Sequence, residues 1–182
     1  LSFNKQLTYV DLPFNPLEEI YFKNNISLER IFIYETYTLE VLEISNSPNL
    51  KELSVHNTKL KELDLSNSPI IEHIRIWDSK LTELDLSNQS SLKYLYAYNI
   101  FDHNNPSLIL PNTDSLEMIW LTSNINSLRQ IDARERGIKS LVGIEDFESL
   151  NSLVASNNYI SGVLDLSFNK QLTYVDLPFN PL

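Results

Sequence analysis

Leucine and isoleucine recur along this chain at a short, regular period. Written as L-x-x-L-x-L-x-x-N, with any aliphatic residue at the L positions, units begin at Leu7, Leu17, Leu28, Leu39, Leu50, Leu60, Ile71, Leu81, Leu92, Asn105, Leu116, Leu128, Ile138, Leu150, Ser161 and Leu172. Most spacings are 10 or 11 residues, and the clearest stretch runs from Leu50 to Asn88 as LKELSVHNTK, LKELDLSNSPI, IEHIRIWDSK and LTELDLSN. The units at Asn105, Ile138 and Ser161 are degenerate. In each unit the L-x-L core alternates with period 2, which predicts a short strand with one buried face and the unit's first leucine packed beneath it. The ninth position is Asn, Ser or Thr in most units: Asn15, Asn25, Thr36, Ser47, Thr58, Ser68, Ser79, Thr113, Asn124, Asn158, Asn169 and Asn180. Small polar side chains there hydrogen-bond the backbone of a tight corner. Stacked turn on turn, they are expected to form a ladder for otherwise buried amides. Pro48, Pro69 and Pro181 follow that corner, where no ladder N–H is needed. One unit cannot bury its own apolar edge, so the pattern predicts a solenoid.

A longer period overlies the short one. Residues 1–17 read LSFNKQLTYVDLPFNPL, and residues 166–182 read the same, at an offset of 165. Two origins account for this: tandem duplication of near-identical 165-residue blocks, or a chain cut to end where it began. The first is the reading adopted, and with a first residue that is Leu1 rather than Met the chain is expected to be a piece of a longer one. Fifteen half-units separate Leu7 from Leu172. An odd number places the two copies half a turn apart, with Tyr9 and Asp11 outward on one side and Tyr174 and Asp176 outward on the other.

The segments LKELDLSN and LTELDLSN resemble the L-x-x-L-x-L-x-x-N signature of leucine-rich-repeat proteins, and the pattern covers nearly all 182 residues. Ordinary members alternate a strand half with a helical or irregular half. Here both halves read as the strand half, which resembles the nested type with turns of 21–22 residues made of two similar halves. Residues 137–163 resemble a more ordinary bacterial, internalin-like repeat, where a short 3₁₀ or helical turn is expected; elsewhere helix should be scarce. The resemblance implies a mainly β fold: a right-handed leucine-rich-repeat solenoid over residues 1–182, with two parallel strands per turn forming two sheets. Sixteen units make about eight turns, or about 38 Å at roughly 4.8 Å per turn.

Sorting the units by parity assigns outward residues to sides. Units at 28, 50, 71, 92 and 116 present Phe32, Tyr34, Ser54, His56, Arg75, Trp77, Tyr96, Tyr98, Trp120 and Thr122. Units at 39, 60, 81 and 128 present Glu43, Ser45, Asp64, Ser66, Asp85, Ser87, Asp132 and Arg134. One side is aromatic and variable, the other acidic and regular. Folding does not require the difference, because both sides close the same core. An exposed aromatic stripe marks an interaction surface, and Tyr, Trp and Arg dominate binding hot spots. Phe32, Tyr34, His56, Arg75, Trp77, Tyr96, Tyr98 and Trp120 are therefore the candidate ligand-binding face. The competing structural reading is that rings stack on their neighbours across a flat parallel sheet. Aspartate in LDLSN reads as solvated scaffold, and one carboxylate per turn is a weak basis for calcium.

Composition narrows the chemistry. Fourteen Lys and Arg against 24 Asp and Glu leave a net charge of −10, which disfavours nucleic acid. The absence of cysteine excludes disulfides, thiol catalysis and cysteine zinc sites. Three glycines leave no phosphate-binding loop, and no apolar run reaches the ~18 residues of a membrane span. His56 and His73 fall on one surface, and His103 lies in FDHNNPS, a segment that interrupts the repeat. No Ser-His-Asp order is present, and a narrow solenoid offers no pocket for paired carboxylates. Asn25-Ile26-Ser27 and Asn88-Gln89-Ser90 fit the N-glycosylation sequon. No catalytic residue, cofactor or metal is assigned. The resemblance implies a non-enzymatic repeat module that binds a protein, for adhesion or recognition, displayed on a bacterial surface or secreted. A structural spacer and a carbohydrate-binding surface are the alternatives.

Overall fold

The computed structural model describes residues 1–100, 107–111, 116, 118–122, 129–135, 138–142 and 144–182. His103 with its FDHNNPS segment up to Pro106, and the corner residues Thr113 and Asn124, lie outside the described residues. The chain winds as a parallel β-solenoid of the leucine-rich-repeat kind. One side is a single seven-stranded sheet: β1 (Tyr9–Asp11), β3 (Arg30–Ile33), β5 (Glu52–His56), β6 (His73–Trp77), β8 (Tyr94–Tyr98), β10 (Met118–Thr122) and β12 (Leu141–Val142). The other side holds β2 (Glu19–Lys23) and β4 (Val41–Ser45) as one pair. It continues with β7 (Glu83–Asp85), β9 (Ser107–Ile109), β11 (Gln130–Asp132), β13 (Ser152–Val154) and β14 (Tyr174–Asp176) as a five-stranded sheet. A 3₁₀ turn, Ile144–Asp146, falls within the stretch expected to carry one.

The register follows the leucine period. Val10, Ile31, Leu53, Ile74, Leu95, Ile119 and Leu141 stand opposite one another in sequence as one inward row. All seven are buried, and the inward residues of both sides belong to one core. The strands β2, β4, β6 and β8 alternate buried with more exposed positions, as period 2 requires, whereas in β5 Leu53, Ser54 and Val55 are all buried.

Two kinds of corner turn the chain. In most units the eighth residue has a left-handed backbone: Phe14, Asn24, Glu35, Asn46, Asn57, Asp78, Asn99, Glu135, Asn157 and Phe179 all have φ between 47° and 59°. Asn and Asp adopt that conformation readily, which explains their frequency there. The LDLSN-type units turn differently. The backbone amides of Ser66, Ser87 and Ser167 donate to Oδ1 of Asp64, Asp85 and Asp165, each at 2.8 Å. The Ser167 side-chain and backbone bonds hold the Asp165 carboxyl below its ordinary range. These aspartates therefore have a structural task, the Asx turn. Of the three units, 60–66 and 161–167 form no strand and the third forms only the three-residue β7.

Two expectations need correction. The second side is not one sheet: it breaks between β4 and β7, where residues 61–66 replace a strand. The polar ladder exists, but among the described residues it mostly meets carbonyls rather than amides. Asn25 Nδ2 donates to the Leu1 and Asn4 carbonyls at 2.9 and 3.2 Å, Ser68 Oγ to Ser47 at 3.2 Å, and Asn169 Nδ2 to Ile144 and Phe147 at 2.7 and 3.0 Å. Gln89, unread in the pattern, serves the same role toward the Leu65 carbonyl at 2.8 Å. Corner amides are already taken by tight backbone turns, such as Leu28 N–H to Asn25 at 3.0 Å and Leu50 N–H to Ser47 at 3.2 Å, which leaves carbonyls of the preceding turn to be met. Asn158 and Asn180 also accept, from the amides of Ile138 and Ile160. Because Asn25 is buried in this ladder, its sequon is a structural feature and not an open glycosylation site.

Candidate binding surface

The parallel register brings the eight candidate residues onto one side of the solenoid. Phe32, Ser54, Arg75, Tyr96 and Trp120 are successive partners in one outward row. His56, Trp77 and Tyr98 form a second row, which Tyr34 extends toward the N-terminus. His73, which the sequence places on the same surface as His56, and Tyr94, which the fifth and seventh positions leave out, belong to a third row; their rings stack at 4.9 Å. The signal for it was the aromatic or imidazole residue at the third position of those two units.

The rings touch in a defined sequence. Phe14 meets Tyr34 at 6.1 Å, Tyr34 meets His56 at 6.1 Å, and His56 stacks on Trp77 at 3.3 Å and 19°. In the neighbouring row Tyr9 meets Phe32 at 5.6 Å, and Tyr96 meets Trp120 at 5.9 Å. The Arg75 guanidinium lies 5.7 Å from the Tyr96 ring centre and pairs with Glu52. Tyr34, His56, Trp77, Phe32 and Tyr96 are therefore half-buried, while Phe14, Tyr9 and Trp120 remain 73%, 50% and 45% exposed.

The second row is interrupted at one place. Trp77 and Tyr98 are register partners, yet no ring contact joins them among the described residues. The space between is a depression of about 250 Å³ lined by Trp77, Tyr96, Ala97, Tyr98 and Trp120. Its walls are almost wholly apolar.

Ser54 and His56 sit two residues apart on β5 with Oγ and Nε2 separated by 2.6 Å, a spacing proper to a nucleophile and its base. The surroundings argue for packing. Ser54 is buried, although its position was expected to face outward, and the Trp77 ring covers the imidazole. Burial, and secondarily the Arg75 charge, lower the His56 pKa to about 4 against an opposing pull from Asp78, so the ring is neutral at pH 7.

The opposite side carries charge and concavity of another sort. The break beside β4 opens a groove of about 530 Å³ lined by residues that include Val41, Glu43, Lys61, Glu62 and Asp64. A second groove of about 290 Å³ lies between residues 62–66 and 82–88. Among the described residues no cluster of three or more His, Cys, Asp or Glu has metal-holding geometry, and no helix is long and apolar enough to cross a membrane.

No family model and no curated protein matches the chain. Among solved structures it is similar to the functional domain of InlJ from Listeria monocytogenes, at 21% identity and a TM-score of 0.49, covering 97% of this chain and 35% of that one. It is also similar to the internalin InlF from Listeria monocytogenes, at 15% identity and a TM-score of 0.44, covering 97% of this chain and 62% of that one. The chain thus spans less than two thirds of either. The fold assignment rests on the repeat and the strand order themselves.

Proposed function

We propose that the chain is a non-enzymatic recognition module that binds a protein partner through its seven-stranded aromatic side. The observation that carries this reading is the break in the ring row at Trp77 and Tyr98, which leaves an apolar depression beside the half-exposed Trp120. A row of rings serving only to stabilise neighbouring strands would close on itself, as it does between His56 and Trp77. An opening bounded by Trp and Tyr is the form that a hot-spot pocket takes. Display on a bacterial surface or secretion, with a role in adhesion, belongs to the same proposal.

The test is the double substitution Tyr96→Ser with Trp120→Ser, assayed against panels of purified extracellular proteins and of glycans. The expected result is at least about a tenfold loss of protein binding with the cooperative melt retained. Trp77 is a poorer choice, because its stack on His56 makes it part of the packing. A variant that unfolds assigns the rings to structure and supports the spacer reading. Binding confined to glycans supports the carbohydrate reading, for which the Trp and Tyr rings lining the depression offer stacking surfaces.

A further inference from the structure

The step from β6 to β8 carries three outward register pairs, and they are closed in different ways. His73 and Tyr94 stack ring on ring at 4.9 Å. Arg75 lays its guanidinium over the Tyr96 ring, 5.7 Å from the ring centre, and Glu52 answers its charge. Trp77 and Tyr98 stay open, with the depression of about 250 Å³ beside them. The bare surface at Trp77 is a ring face. His56 stacks on Trp77 from β5 at 19°, so the opposite face of the indole is turned toward β8. The corner at the end of this step holds a carboxylate. Asp78 follows Trp77 and Asn99 follows Tyr98, and Asn99 Nδ2 donates to Asp78 Oδ1 at 2.7 Å. Asp78 Oδ2 takes no hydrogen bond among the described residues.

We infer that the open step takes the guanidinium of an arginine side chain on a protein partner, lying over Trp77 and beside Tyr98 as Arg75 lies over Tyr96 one row away. That assignment rests on the protein-binding reading of the aromatic side and names the group that enters it. The neighbouring row shows the chemistry between the same two strands: a cation over a ring, with a carboxylate to pair it. Trp and Tyr faces are negative and attract a cation, Trp most strongly. A guanidinium is flat, weakly hydrated and stacks on rings, whereas an ammonium is a compact and strongly hydrated charge. The net charge of −10 favours approach of a basic segment over an acidic one. At about 250 Å³ the depression falls below the ~300–1,000 Å³ of a pocket for a whole small molecule, which suits a single inserted side chain.

Trp77 and Trp120 are the only two tryptophans of the chain and both line the depression, so their indole N–H resonances report on it directly. The experiment selects random phage-displayed peptides on the full chain and resynthesises the binders. The expected binders share an arginine, shift both indole resonances and lose about fivefold or more in affinity when that arginine becomes citrulline, which keeps the shape and removes the charge. Tyr98→Leu keeps an apolar wall without a ring, and Asp78→Asn keeps a residue that suits the left-handed backbone at φ 48°. Each should weaken the arginine peptide by about threefold or more. The citrulline comparison uses the unaltered chain, so it decides the outcome even where a variant melts early. Peptides that shift the indole resonances without an arginine, or that bind equally well as the citrulline form, overturn the guanidinium and leave the protein-binding surface standing. A selection that yields no peptide moving those resonances overturns both.

Discussion

The two sides of the solenoid are built on one ten-residue rule yet differ in how far their strands run. On the aromatic side every neighbouring pair from β1 to β12 is hydrogen-bonded, and inter-turn ring contacts lie over much of the sheet. On the acidic side the ladder stops at β4 and resumes at β7. Among the described residues no backbone bond joins β4 to residues 61–66. That half-turn is held from the next turn by Lys80 N–H to Leu60 at 2.9 Å and Thr82 N–H to Lys61 at 3.0 Å. The cause is local. The aspartate of LDLSN turns back on its own backbone, and a side chain that caps a turn there competes with extending the strand. The lesson is that polar side chains next to the strand set its length, while the leucine rows set only its register.

The sharpest way to break the comparison is to make one cavity on each side. Leu53→Ala, fully buried in the middle of the continuous sheet, should cost about 2–5 kcal/mol. Leu63→Ala, in the strandless half-turn, should fall at the lower end of that range, because a segment with few backbone bonds collapses more readily into the space left. Urea unfolding of both variants decides this, and equal losses would show that the break in the sheet does not loosen packing. Both variants should raise hydrogen exchange in adjacent turns before distant ones, as a one-dimensional stack requires.

A smaller effect separates members of the polar ladder. Asn158 is buried and donates to the carbonyls of Ala133, Ala155 and Ser156 while accepting from the Ile138 amide. Asn158→Ala strands several of these groups and should cost about 1–3 kcal/mol. Ser47, at the equivalent position of its unit, is buried with a hydroxyl that lacks a partner. Ser47→Ala should therefore stay within about 0.5 kcal/mol of the parent. Melting of the two variants side by side shows whether the ladder acts through its hydrogen bonds or only through the size of its side chains.

Period and parity made the leucine rows, the two sides and the opposite placement of β1 and β14 legible in the sequence, because each depends on position counted modulo two strands per turn. What the pattern did not reveal came from interactions outside that count. Asp64 and Asp85 read as solvent-facing strand residues, and their Asx turns became visible only from the Ser66 and Ser87 amides. Ser54 shares the outward row of Arg75 but is small enough to disappear beneath its neighbours. The opening between Trp77 and Tyr98 depends on ring orientation at one pair of aligned positions, which no spacing rule specifies.

The last expected effect is a dependence of stability on pH confined to the aromatic side. His56 packs between Tyr34 and Trp77, with Ser54 at its Nε2 and with Arg75 and Asp78 as its charged neighbours. Burial and then Arg75 lower its folded pKa to about 4, from an ordinary value near 6.5 in the unfolded chain. Between those values the unfolded chain takes up a proton that the folded ring refuses. Stability is then lost as the pH falls from about 6.5 toward 4 and is unaffected by this group above that window. His56→Gln removes the titration, so its urea midpoint should shift less between pH 7 and pH 5 than that of the parent. Hydrogen exchange in β5 and β6 should quicken on acidification before exchange in β9 and β11, since opening these strands frees the buried imidazole to take up a proton. If parent and variant lose stability equally on acidification, the histidine is not the source and carboxylates account for the slope.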